Sequence, residues 1–457
     1  MKEVGKVEKE NFLFSKKSLI NLIIPLMIEQ FLAVLVGMAD SIMVASVGES
    51  AVSAVSLVDS ISILLINVFA ALATGGAVIA GQYIGKKDHE NAVKAGEQLL
   101  ILLISISIIV MGIMYVGKDF ILTVVFGNIA PDVAAYANRY LLIVFASIPF
   151  IALYNGGAAL FRAMGNSKVT MKTSLIMNAI NVMGNAIFIY GFRMGVEGAA
   201  IPTLVSRMIA AIMIILLLRD ENLTIHISRA FRYKYDRNMV RNILRIAVPN
   251  GIENSMFQLG KILLLSVVSL FGTASIAANA VANTVASFQY LPSSAIGLGL
   301  ITVISQCVGA DDYNQARYYT KTLLKYAYVS LISLNAIIIL STPFIVRAYN
   351  LSPETASMAS KVIIFHGVGT CLLWPLAFTL PNALRAANDV RYTMIVSVSI
   401  MWIVRIGLGI IFAKTLGLGM FGIWVAMICD WIVRDVFFVA RYRGRKWEVL
   451  GRPAVKL

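Results

Sequence analysis

Long runs of apolar and small residues follow one another from about residue 18 to about residue 440, each ended by a short polar interval. A hydrocarbon core about 30 Å thick is crossed by about 20 apolar residues in helix. Twelve runs reach that length, near 18–45, 51–82, 95–117, 133–161, 169–192, 197–219, 243–271, 275–307, 320–342, 359–384, 393–415 and 420–440. The pattern predicts an all-α integral membrane protein with twelve transmembrane helices. The longest polar interval, DENLTIHISRAFRYKYDRNMVRNILR at 220–245, divides them six and six. It is expected to link an N-lobe (1–219) to a C-lobe (246–457).

The two sets resemble each other. IPLMIEQ at 24–30 and VPNGIEN at 248–254 align Pro25 with Pro249 and Glu29 with Glu253, a separation of 224 residues (25 to 249). The same ungapped register pairs Gly48 with Gly272, Gln82 with Gln306, Gly85 with Gly309 and Asp88 with Asp312. Further on, RAMGNSKVTM at 162–171 matches RAANDVRYTM at 385–394, now 223 apart (162 to 385). A fixed register of Gly, Pro, Gln, Glu and Asp marks an internal duplication, a common build among transporters. An even number of spans per repeat inserts both halves in the same sense, so two pseudo-symmetric six-helix lobes with a substrate path between them are expected.

Composition agrees with the pattern. Of 457 residues 59% are hydrophobic and 14% charged, with mean hydropathy +0.81, whereas soluble domains carry roughly a quarter charged residues. The net charge of +15 sits in short clusters between apolar runs, not interleaved with stacking aromatics, which argues against nucleic acid. Lys16, Lys17, Lys86, Lys87, Lys94, Arg162, Lys168, Arg317, Lys321, Arg385, Arg391 and the 441–446 cluster fall on one side of the predicted membrane. By the positive-inside rule that side, with both termini, is cytoplasmic, and a multi-pass cell-membrane protein is expected. The N-terminal MKEVGKVEKENFLFSKKS lacks the layout of a cleaved signal, so a retained first helix behind a cytoplasmic tail is expected. Cys307, Cys371 and Cys429 lie in apolar stretches without metal or disulfide spacing and read as packing residues.

A carboxylate set in lipid-like surroundings is costly and usually faces a cavity or a partner. The first half places Glu29, Asp40, Asp59 and Arg207 inside its spans, an excess of negative charge; the second places Glu253, Lys261, Arg405 and Asp430, which balance. Glu29 and Glu253 occupy equivalent positions, so a role shared by both halves accounts for them. Glu29 and Arg207 lie at matching depth, and a structural ion pair between them is expected. Asp40 has Leu264 as its counterpart, so no symmetric role explains it. Asn178, Asn181 and Asn185 form one polar stripe on the fifth span; counting 223 puts Met401, Val404 and Leu408 opposite. The stripe reads either as interhelical hydrogen bonding, about 0.6 kcal/mol per contact, or as part of a small-cation or proton site with Asp40 and Thr203, since hard cations prefer oxygen ligands.

These residues resemble the multidrug and toxic compound extrusion (MATE) family from about 18 to 442. The resemblance rests on Pro25 followed by Asp40 and VGES, GQYIGKKDHENA with its partner QCVGADDYNQA, ALFRAMGNSK with ALRAANDVRY, and GVEGAAIPT. It implies a two-lobed, twelve-helix antiporter that exports cationic, amphipathic organic compounds in exchange for sodium ions or protons, with no other cofactor and no enzymatic activity. It also implies that Asp40, Asn181, Asn185 and Thr203 hold the coupling cation. Glu29, Asn178, Arg207 and Glu253 are expected along the gating or substrate path. The expected partners are the exported compound and membrane lipid, with the chain acting as a monomer. The family often has an aspartate where Asn185 stands, and the tenth span, HGVGTCLLWPLAFTLPNAL, has no acid, which argues against a C-lobe ion site.

Three other classes compete with this reading. The second-to-third-span loop lacks the G-x-x-x-D-R-x-G-R-R pattern of the major facilitator class. A lipid-linked precursor flippase calls for several basic residues facing the cavity, and Arg207, Lys261 and Arg405 are the candidates. A membrane-embedded enzyme finds no nucleophile, metal set or acid–base dyad, with His89 and His226 in loops and His366 alone.

Overall fold

In lipid no water satisfies a free backbone N–H or C=O, so segments this apolar close their hydrogen bonds within themselves as helix. The computed structural model describes residues 12–127, 129–227 and 235–451. Six spans form the first set: Lys16–Ala45, Glu49–Gly85, His89–Val116, the pair Pro131–Ala146 and Ile148–Ala163, Ser167–Gly191, and Glu197–Leu217. Six form the second: Arg237–Phe271, Thr273–Gln289 continued by Leu291–Gly309, Tyr313–Ala348, Pro353–Ala386, Val390–Thr415 and Gly419–Arg443.

Among the described residues ten helices are long and apolar enough to cross a membrane by themselves, and the fourth span makes an eleventh as two halves bent by 44°. The bend falls at Ser147, just before Pro149, whose ring cannot continue the hydrogen-bond ladder. The twelfth, Gly419–Arg443, is less apolar because it carries Asp430, Arg434 and Asp435 inside the bundle.

The duplication reappears in local geometry. Asp88 and Asp312 cap the third and ninth spans, accepting from Asn91 N (3.1 Å) and Gln315 N (2.9 Å). The turns after the first and seventh spans use left-handed glycines, Gly48 (φ 138) and Gly272 (φ 89). Lys87 and Asp311, at φ 60 and 56, repeat the match after the second and eighth.

Each lobe has its own apolar core, and the spans that begin the lobes cross over. Leu19, Leu22 and Leu26 of the first span pack among C-lobe residues such as Ala295, Leu300 and Leu384. Met239, Ile243 and Ala247 of the seventh pack among N-lobe residues such as Leu72 and Leu99. The lobes are tied at this basic end by a reciprocal pair of contacts. Gln82 Nε2 donates to Ala386 O (2.9 Å), and Gln306 Nε2 to Ala163 O (2.7 Å). A Cβ on Gly85 would lie 2.0 Å from Gln306 O and one on Gly309 1.9 Å from Gln82 O, so only glycine permits this approach.

The expected Glu29–Arg207 ion pair is not formed. Glu29 pairs with Arg162 (3.6 Å) and accepts from Thr170 Oγ1 (2.8 Å). Its repeat partner Glu253 pairs with Arg385, the repeat partner of Arg162, at 2.6 Å. Matching depth is an insufficient guide, because Arg207 turns toward Ser147 and the side of Asp59 and Tyr140 instead. Arg162 and Arg385, which the charge pattern assigns to loops, fold back from helix ends with the reach of a long side chain.

Candidate coupling site in the N-lobe

Asp40 lies near the end of the first span opposite the basic face, where the fifth and sixth spans converge on it. Asn181 and Asn185, one turn apart, present their amides from one helical face. Asn185 Nδ2 donates to Asp40 Oδ1 at 2.8 Å. With its amide nitrogen turned toward the carboxylate, Asn181 donates to both Asp40 oxygens (3.0 and 3.0 Å) and accepts from Thr203 Oγ1 at 3.0 Å. Asn185 is fully buried and Asn181 nearly so, and Asn185 Oδ1 has no hydrogen-bond partner.

Asp40, Asn185 and Thr203 line a cavity of about 150 Å³ together with Gly37, Ser41, Asp59 and Tyr140, and Asn181 stands behind them. Asp59, a second-span acid noted in the sequence but given no role, receives a hydrogen bond from Tyr140 OH (3.2 Å). Tyr140 gave no sequence signal beyond being an aromatic residue in the fourth span. Arg207 belongs to this side of the lobe: it donates to Ser147 Oγ (2.8 Å), and its charge lies within electrostatic reach of Asp40 and Asp59. Counted formally, Asp40 and Asp59 with the nearby Arg207 sum to one negative charge. Asn178 sits apart, a turn nearer the basic end, at 3.4 Å from Ser174 Oγ. Glu29 and Glu253 are likewise outside the Asp40 shell, held in their arginine pairs.

The matching place in the C-lobe is chemically different, and its register differs from the sequence count. Residues 401–406 of the eleventh span wind as a π-helical segment, the usual way a helix absorbs one inserted residue. Beyond it the separation returns to 224: the π-helical ends Ile187–Gly191 and Ile411–Thr415 correspond. Gly198 abuts Phe188 and Ile189 as Gly422 abuts Phe412 and Ala413. Arg405 and Gly409, not Val404 and Leu408, therefore stand opposite Asn181 and Asn185. Gly409 packs against Leu264 just as Asn185 meets Asp40. Among the described residues no group of three His, Cys, Asp or Glu side chains is placed to hold a metal ion.

Two pseudo-symmetric six-helix lobes, with a buried acid-and-amide cavity in one of them, define a membrane-transporter architecture. The chain belongs to the MatE family, the MATE multidrug efflux transporters, whose profile matches residues 25–187 and again 249–411. The second match begins 224 residues after the first (25 to 249), the register of the duplication. The chain is similar to an uncharacterized transporter, YisQ, of Bacillus subtilis, 24% identical over 442 residues covering 95% of each. It is also similar to a probable multidrug resistance protein, NorM, of Thermotoga maritima, 23% identical over 455 residues covering 96% of each. A solved structure of a multidrug resistance MATE family transporter in an outward-facing conformation shares the fold, with TM-score 0.89 and 21% identity over 95% of this chain and 96% of that one.

Proposed function

We propose that the chain is a secondary active antiporter that exports cationic or amphipathic organic compounds as sodium ions or protons move inward through the Asp40 site. The observation that carries this reading is the buried carboxylate ringed by two carboxamides and a hydroxyl. A carboxamide offers two donors on one side and an acceptor on the other. With nitrogen inward, Asn181 stabilises an ionised Asp40. Turned over, the same amide would present its oxygen to the carboxyl group, an arrangement that suits a protonated or cation-bound Asp40. One shell therefore serves both the loaded and the emptied carboxylate, and the emptied form adds negative charge that attracts a cationic substrate.

Antiport requires that loading at Asp40 and substrate binding favour different lobe arrangements, because a ligand shifts an equilibrium only by its differential affinity for the two states. The Gln82–Ala386 and Gln306–Ala163 contacts close the basic end, which the Lys and Arg clusters assign to the cytoplasm. Release of that closure would admit substrate from inside. In this reading residues 1–219 and 246–457 move as N- and C-lobes, with 220–245 as the cytoplasmic linker; its residues 228–234 lie outside the described residues.

The test is transport of a fluorescent organic cation such as ethidium by the purified chain in proteoliposomes, with sodium and proton gradients imposed separately. Export driven by one gradient and indifferent to the other identifies the coupling ion. Movement that follows only the ethidium gradient would contradict antiport.

A further inference from the structure

The C-lobe holds a second cavity, of about 250 Å³, between the seventh, eighth, tenth, eleventh and twelfth spans. Its walls are aromatic: Tyr290 stacks on Trp374 at 4.3 Å and Trp374 on Phe378 at 4.2 Å. Its charge is opposite to that of the Asp40 cavity. Three cations face one phenyl ring, with Lys261 Nζ at 5.1 Å, Arg405 Cζ at 5.5 Å and Arg434 Cζ at 5.7 Å from the Phe257 centroid.

One carboxylate, Glu253, lines the cavity and a second, Asp430, stands beside Arg434; each has an arginine partner. Asp430 pairs with the fully buried Arg434 (3.0 Å), and Glu253 with Arg385 (2.6 Å). Asp435, next along the twelfth span, lies beside Tyr328 of the ninth. Among the described residues Lys261 and Arg405 form no ion pair, although the Asp430 carboxylate lies within electrostatic reach of Arg405. The buried donors Arg405 Nε, Arg385 Nε and Trp374 Nε1 also have no hydrogen-bond partner, and neither do the acceptors Glu253 Oε2 and Asp430 Oδ2. Cation–π contacts offset part of the cost of such a cluster, but they do not relieve repulsion among like charges around one ring. An anion does, and guanidinium groups match the planar or tetrahedral oxygens of carboxylate, sulfonate and phosphate.

We propose that this cavity is a binding subsite for the anionic end of an amphiphile. The acid group sits at Lys261, a cation of the cavity wall, with Arg405 behind it on the same Phe257 ring, and the adjoining ring or apolar stem lies along Phe257, Trp374 and Phe378. Sites that enclose a whole drug-sized ligand run to roughly 300–1,000 Å³, so this one takes the head of a larger molecule whose remainder lies in the space between the lobes. The subsite goes beyond the coupling reading and does not depend on it, since none of its residues touches the Asp40 shell.

The full chain in phosphatidylcholine nanodiscs, with no ion gradient, is tested by equilibrium dialysis against 2-naphthalenesulfonate and against 2-naphthylmethylammonium, which presents a similar ring with the opposite charge. The sulfonate is expected to bind at least about tenfold more tightly. Lys261→Gln and Arg405→Gln are each expected to weaken it roughly fivefold or more, whereas the exposed Lys361→Gln leaves it unchanged. Equal binding of the two probes, or sulfonate binding indifferent to both substitutions, overturns the proposal. Should either variant fail to fold, the probe comparison on the parental chain decides alone. Replacing a third of the phosphatidylcholine by phosphatidylglycerol separates the sources of the anion. Displacement of the sulfonate assigns the subsite to a lipid phosphate, and unchanged binding assigns it to a soluble organic anion. Because no gradient is present, a failure of the coupling reading cannot mimic either result.

Discussion

Where the N-lobe sets Asp40 against Asn185, the C-lobe sets Leu264 against Gly409. Where the N-lobe has Gly37, Asn181 and Thr203, the C-lobe has Lys261, Arg405 and Met427. Elsewhere the two halves remain alike: Glu29 and Glu253 each pair with an equivalent arginine, Gln82 and Gln306 each reach a carbonyl of the other lobe, and the same turns take the same backbone conformations. Positions that hold the lobes together kept their residues after duplication, and positions that face the cavities diverged until the charge reversed. The comparison supports the proposal that coupling chemistry belongs to one lobe and that the shared acids, each paired with an arginine of its own lobe, are fastenings.

The fastenings offer the largest effects. Arg385→Met leaves Glu253 buried without its partner, a change that costs about 3–5 kcal/mol and appears as a large fall in the thermal unfolding midpoint of the purified chain. Adding Glu253→Gln recovers most of the loss. Arg162→Met with Glu29→Gln repeats the pattern more weakly, because that pair is longer, at 3.6 Å, and Thr170 also donates to Glu29. If Glu29→Gln rescued Arg207→Met and not Arg162→Met, the assignment of partners would be wrong.

Next come the glycines at the basic end. Gly85→Ala or Gly309→Ala drives a methyl group against a backbone carbonyl of the other lobe, about 1–3 kcal/mol of overpacking. At about 1.4 kcal/mol per tenfold, that shifts the balance roughly fivefold to a hundredfold toward an arrangement open at that end. Spin labels at positions 86 and 321, exposed sites on opposite lobes, read the change as a longer distance distribution. An unchanged distribution in both variants would remove these contacts from the gate.

A smaller effect is expected inside the cavity. Asn185→Asp places a second carboxylate beside Asp40, and like charges at this range favour uptake of a proton or cation. Transport persists, while the sodium concentration or pH at half-maximal rate moves by about tenfold. No movement would place Asn185 among packing residues.

Much of this was legible in the sequence because lipid enforces simple rules. Run length gave the spans, and the ungapped register gave the two lobes. Asp40, Asn181 and Asn185 stood out because one helical turn joins the asparagines and Asp40 has no acidic counterpart, and the resemblance to the MATE family grouped them with Thr203. What stayed hidden depends on helix rotation and local winding. Arg162 escaped notice as the partner of Glu29 because the apolar run ends one residue before it, and a long side chain folds back across that boundary. Arg405 was missed as the counterpart of Asn181 because a one-residue π-helical insertion shifts the register inside an apolar segment, where no polar landmark reports it. Tyr140 joins Asp59 only through the packing of the fourth span on the second.

The most direct test of the central claim is gradient-driven ethidium efflux by Asp40→Asn in proteoliposomes, with folding checked by gel filtration and thermal unfolding. A neutral, nearly isosteric side chain keeps the shell but cannot alternate between charged and loaded forms. The account predicts a stable protein that still binds ethidium and no longer moves it against its gradient. Efflux at near the parental rate would contradict the account, and coupling would then have to reside with Glu253 and Asp430 in the other lobe.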